Sequence, residues 1–94
     1  MKTGIYALYL KEYRGYFVNV YFAGDEDASF IGTVERSEAK SRKIRPKTYK
    51  TLKGAERGIS AITRKHFYTQ KEDVEIVELT TADIDVMGLY DLIV

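Results

Sequence analysis

The sequence predicts an α+β fold: an antiparallel sheet of three to four strands, one main helix over about 51–67 packed on one face, and a short C-terminal element, in a single domain 1–94. Three observations predict it. Two Tyr-, Phe- and Val-rich runs of strand length open the chain, separated by four residues. An apolar stripe at helical spacing follows a capping threonine near the middle. A fourth β-rich run, then a second capping signal, closes the chain.

Length and composition set the scale. Ninety-four residues suit one core of about two packed layers, and a hydrophobic content of 45% is ample to fill it. With no cysteine, a disulfide framework and a thiolate zinc site are both excluded. Lys11, Glu12 and Arg14 interrupt the first apolar run too early for a signal-peptide core, and the longest uncharged stretch, Gly15 to Gly24, is about half of what a membrane span needs. The expectation is a cytoplasmic protein without a membrane segment.

Taken in order, "GIYALYLK" (4–11) and "YFVNVYFA" (16–23) read as a hairpin across "EYRG", with Gly15 available for a positive φ. Alternation in the second run places Val18 and Val20 on one face, expected to pack on the core. "GDEDAS" (24–29) reads as a turn and "FIGTVE" (30–35) as a third strand. Residues 36–48 are polar and basic and hold the only proline, Pro46, so they read as an exposed connector with a short extended piece at "KTY".

Thr51 is a good N-cap, and Leu52, Ala55, Ile59, Ile62 and His66 then share about 80° of helical arc. Leu52, Ile59 and Ile62 are therefore expected to be buried. Lys53, Arg57 and Arg64 fall on the other side. Gly54 and Gly58, each costing up to about 1 kcal/mol in a helix interior, imply close packing of helix backbone on the sheet or, as the alternative, close approach of a ligand or partner. "DVEIVELT" (73–80) reads as a further strand; Thr80 and Asp83 have capping-box spacing before a short helix lined by Ile84, Met87 and Leu89 and ending near Gly88.

The net charge of +1 hides a segregated pattern. Residues 36–65 hold eleven basic and two acidic residues, and residues 66–94 hold one basic and seven acidic. A basic block of this density is the footprint of a protein that displaces counterions from phosphates. The residues assigned to that role are Arg42, Lys43, Arg45, Lys47, Lys50, Lys53, Arg57 and Arg64, with loop and helix presenting charge to one side. Tyrosines of the hairpin, Tyr6, Tyr9, Tyr13, Tyr16 and Tyr21, offer stacking surfaces but fit core or half-buried sheet positions better.

Catalytic and metal chemistry find little support. His66 is the only histidine and lies on the apolar stripe with no nucleophile at a telling spacing, which makes it structural. Asp25, Glu26 and Asp27 lack the further oxygen ligands of a calcium loop. No cofactor is implied, and the chain is not expected to be an enzyme.

The stretch "KTYKTLKGAERGI" (47–59) resembles a segment of small bacteriophage and prophage proteins of unknown function. Tyr49, Lys50, Thr51 and Ala55 are more loosely similar to the hybrid-binding module that precedes ribonuclease H domains; the tryptophan of that module is absent here, and its binding residues are not carried over. The phage resemblance implies an accessory role in a bacterial host cell. The leading expectation is a non-catalytic nucleic-acid-binding accessory protein. The alternative is a protein-binding inhibitor or adaptor acting on a host enzyme or defence complex through a sheet edge, an aromatic face or the acidic third.

Overall fold

The computed structural model describes residues 2–22, 29–66 and 69–92. Its strands are β1 (Lys2–Leu10), β2 (Gly15–Phe22), β3 (Ser29–Val34), β4 (Thr48–Tyr49) and β5 (Val74–Thr80); its helices are α1 (Ala39–Arg42), α2 (Leu52–Lys65) and α3 (Thr81–Met87). Single 3₁₀ turns occupy Lys71–Asp73 and Tyr90–Leu92. The fold is α+β with a five-stranded antiparallel sheet, the fifth strand being the short extended piece at Thr48–Tyr49.

β1 is the hub. It pairs with β5 along most of its length, from Tyr6 opposite Glu78 to Leu10 opposite Val74, and this occupies one edge. Its other edge is shared. β2 pairs with it only at Tyr9–Tyr16 and Leu10–Gly15, and β4 takes over at Tyr6–Tyr49 and Ala7–Thr48. β4 thus fills a fork where β2 splays away from β1, with the Lys47 amide donating to the Phe17 carbonyl across the gap.

Both faces of the sheet are covered. On one, Ile5, Ala7, Tyr16, Val34 and Leu79 pack with Ala39 of α1 and with Ile84, Met87 and Leu89 from the C-terminal region. On the other, Leu8, Leu10, Phe17 and Val74 pack with Ala55, Ile59 and Ile62 of α2. Three layers form where two were expected, because four- and seven-residue helices suffice to cover the second face. Burial of each aliphatic side chain contributes roughly 1.5–3 kcal/mol.

Several local expectations are corrected. In the β1–β2 turn the positive φ belongs to Arg14 (51°), while Gly15 lies where a β-carbon would meet the Val34 carbonyl oxygen at 3.1 Å. Val18 and Val20 do not share a face: a register shift between Phe17 and Asn19 reverses the alternation, so Val18 packs with the first cluster and Val20 with the second. Leu52 is half exposed, whereas Ile59 and Ile62 are buried. Periodicity gives the direction of a side chain but not whether sheet lies beneath it, and Leu52 is the first helical residue. Residues 36–48 are not simply an exposed connector, since they contain α1, whose Ala39 is buried, and Ile44 packs beside it. The "GDEDAS" turn and the acidic residues 25–27 lie outside the described residues, apart from Ser29 in β3.

The termini of the helices follow local chemistry. The Thr51 hydroxyl accepts from the Gly54 amide at 3.0 Å. Thr80 and Asp83 form a full capping box: the Asp83 amide donates to the Thr80 hydroxyl, and the Asp83 carboxylate accepts from the Thr80 amide at 2.8 Å. Gly88, with φ of 70°, ends α3 in the left-handed conformation. Buried His66 caps α2, its amide donating to Ile62 and its Nδ1 lying 2.9 Å from the Thr69 hydroxyl.

Candidate nucleic-acid interface

The basic block does not form one surface. Chain passing from α1 to α2 crosses from one face of the sheet to the other by way of the fork at β4, so the expected one-sided array of loop and helix cations is divided. Arg42, Lys43 and Arg45 stay beside α1, where Lys43 and Arg45 border a shallow hollow with Lys40, Met87 and Gly88. Two of these are engaged: Arg45 meets Asp91 at 3.0 Å and Arg42 meets Glu38 at 3.5 Å, both exposed pairs of small energetic weight. Lys40 lies over the Tyr90 ring, 5.6 Å from its centroid.

The α2 side is different. Lys47 from the approach to β4, with Arg57 and Lys65 from α2, borders a cleft of about 200 Å³ between β2, β4 and the helix. Its interior is formed by Phe17, Val20, Tyr49, Gly58, Ala61 and Ile62, and the described lining contains no carboxylate. Burial pushes the Tyr49 phenol above its ordinary pKa. Lys50, Lys53 and Arg64 are exposed on the turn before α2 and on the helix itself. None of these six cations has an ion pair among the described residues.

Of the two helix glycines, Gly58 is accounted for by Tyr49 and Gly54 by the capping hydroxyl of Thr51. A β-carbon on Gly58 would collide with the Tyr49 ring, and one on Gly54 would stand 3.0 Å from the Thr51 hydroxyl and 3.7 Å from the Tyr49 β-carbon. Close packing of helix backbone on the sheet is therefore what Gly58 permits. Arg57, assigned from the helical wheel to the outward strip, is exposed and also borders the cleft. Lys65 was not among the assigned residues. Its signal was present in the sequence, because at 100° per residue it falls between Gly58 and Ala61 on the flank of small residues.

Among the described residues the acidic third meets the basic block where Arg45 pairs with Asp91 and Arg36 with Asp83. The hairpin tyrosines divide: Tyr16 is buried, with its ring packed edge-on to Tyr9 at 5.4 Å, while Tyr13 and Tyr21 are exposed. Tyr21 stands opposite Phe30, also exposed, across the β2–β3 ladder. Among the described residues no group of three or more His, Asp or Glu side chains is placed to hold a metal ion, and no helix is long and apolar enough to cross a membrane.

No protein-family model matches the chain, and neither a curated protein nor a solved structure matches it.

Proposed function

We propose that this chain is a non-catalytic nucleic-acid-binding accessory protein whose binding surface is the α2 side of the sheet. One observation carries the reading: Lys47, Arg57 and Lys65 converge on a single cleft, Lys50, Lys53 and Arg64 are also exposed on the turn before α2 and on α2 itself, and no described carboxylate pairs with any of the six. Unpaired cations held at a common surface release counterions when they meet phosphates. The phage resemblance of residues 47–59 suits an accessory role, and the same thirteen residues supply Lys47, Lys50, Lys53 and Arg57.

The test is a titration of labelled single- and double-stranded oligonucleotides across a range of salt. With four phosphate contacts, log K is expected to fall with log salt at a slope of about −3 for a single strand and somewhat more steeply for duplex. Lys47→Glu with Arg57→Glu is expected to abolish binding. Arg42→Glu with Arg45→Glu is expected to weaken it far less, because those cations lie beside α1 and are already paired.

A second reading rests on the opposed pair Tyr21 and Phe30. Among the described residues β3 pairs only with β2, so this strand pair presents a sheet edge that no described strand covers next to two exposed rings, as a surface for strand addition by a protein partner would. Absence of oligonucleotide binding at high micromolar protein transfers the function to that surface.

A further inference from the structure

Resting on the nucleic-acid reading, we propose that the cleft between β2, β4 and α2 receives one base of a single strand, and that the protein therefore prefers single-stranded nucleic acid to duplex. Two properties of the cleft carry this. Its rim is cationic, with Lys47, Arg57 and Lys65, yet its interior is apolar, with Val20, Tyr49, Ala61 and Ile62. Phosphates alone would use the rim and leave the apolar interior in water. A nucleotide unit uses both: the anionic backbone pairs with the rim, and the flat face of the base leaves water against the aromatic ring and the aliphatic wall.

Size and access point the same way. At about 200 Å³ the cleft is smaller than the roughly 300–1,000 Å³ of a drug-sized ligand site, which suits one base and excludes a stacked pair. Ala61 keeps the helical wall low, while the space over Gly58 is taken by the Tyr49 ring that forms the aromatic wall. Bases of a duplex are stacked and paired, so one would enter only after being flipped out, whereas a single strand offers its bases without that cost.

The experiment compares a labelled oligothymidylate with a duplex of equal length, by fluorescence anisotropy on the full chain, and follows backbone amide shifts by NMR in the same titrations. The single strand is expected to bind about tenfold or more tightly than the duplex, a ratio within the range that stacking of one base supplies. Ala61→Leu, which fills the cleft and leaves every cation in place, is expected to lower single-strand affinity about tenfold and so erase that preference. Should this variant fail to fold, the wild-type amide shifts decide: Gly58 and Ala61 are expected to move with the single strand and stay still with the duplex. Thymidine monophosphate, the other source of one base and one phosphate, is expected to move the same amides only at much higher concentration.

Equal affinity for both forms, or shifts confined to exposed positions such as Lys53 and Arg64, overturns the base-insertion proposal and leaves phosphate binding standing. Saturation by the mononucleotide at lower concentration than the strand overturns the strand as ligand. Binding of neither oligonucleotide overturns the underlying reading instead.

Discussion

The ring of Tyr49 occupies the space that a side chain at Gly58 would fill: a β-carbon there would stand 2.6 Å from the ring carbon Cζ. Helix propensity favours alanine over glycine by about 1 kcal/mol, and here sterics should win. Gly58→Ala is expected to destabilise the protein by about 1–3 kcal/mol, the usual range for overpacking. In a Tyr49→Ala background the same change is expected to stabilise, by up to about 1 kcal/mol. Urea melts of the four proteins check the reversal of sign. A higher midpoint for Gly58→Ala in the parent would show that the ring moves aside freely.

The apolar stripe of α2 contains residues of unequal weight. Ile59 is 7% exposed and Leu52 is 50% exposed, so Ile59→Ala is expected to cost about 2–5 kcal/mol and Leu52→Ala less than about 1. Thermal melts separate them. Equal losses would mean that the first turn of the helix is packed in solution.

Asp83 joins three elements, accepting from the Thr80 amide at 2.8 Å and from Arg36 Nε at 2.7 Å. Burial alone would raise the pKa of this carboxyl, but the Thr80 amide, the Arg36 guanidinium and the Thr80 hydroxyl outweigh it and hold it below the ordinary aspartate value. A depressed carboxyl contributes stability above its unfolded pKa, about 3.9, and loses it as pH falls through the lower folded value. Asp83→Ala is expected to cost about 1–3 kcal/mol at neutral pH. Denaturant melts should show the gap between parent and variant closing below about pH 4. A gap that does not depend on pH would assign the loss to packing.

Lys43 ends α1 with φ of 56°, a left-handed conformation that strains residues bearing a β-carbon. Lys43→Gly is expected to stabilise the fold by about 0.5–1 kcal/mol, after the extra entropy of glycine in the unfolded chain is set against the relieved strain. Because Lys43 lies on the α1 side, its loss should leave oligonucleotide affinity nearly unchanged. A parallel melt and titration checks both halves, and a large loss of affinity would place the interface on the wrong face.

What the sequence determined by itself is what depends on neighbours along the chain. Thr51 caps a helix because its hydroxyl reaches an amide three residues on, and Thr80 with Asp83 closes a box for the same reason. Ile59 and Ile62 were legible as core from spacing alone, as were the β1–β2 hairpin, β5 and the glycine stop of α3. The density of the basic block was legible too, since charge needs only counting.

Tertiary structure decided everything that depends on which strands meet. The register shift that sends Val18 and Val20 to opposite faces arises from pairing with β3, and no alternation within β2 could reveal it. Division of the cations follows from β4 entering the fork beside β1, which carries the chain through the sheet between Arg45 and Lys47. Tyr49, too, became the wall of a cleft only when β4 brought its ring against Gly58; the sequence shows a helix glycine in need of a partner there, and the partner is a side chain that packing alone could choose.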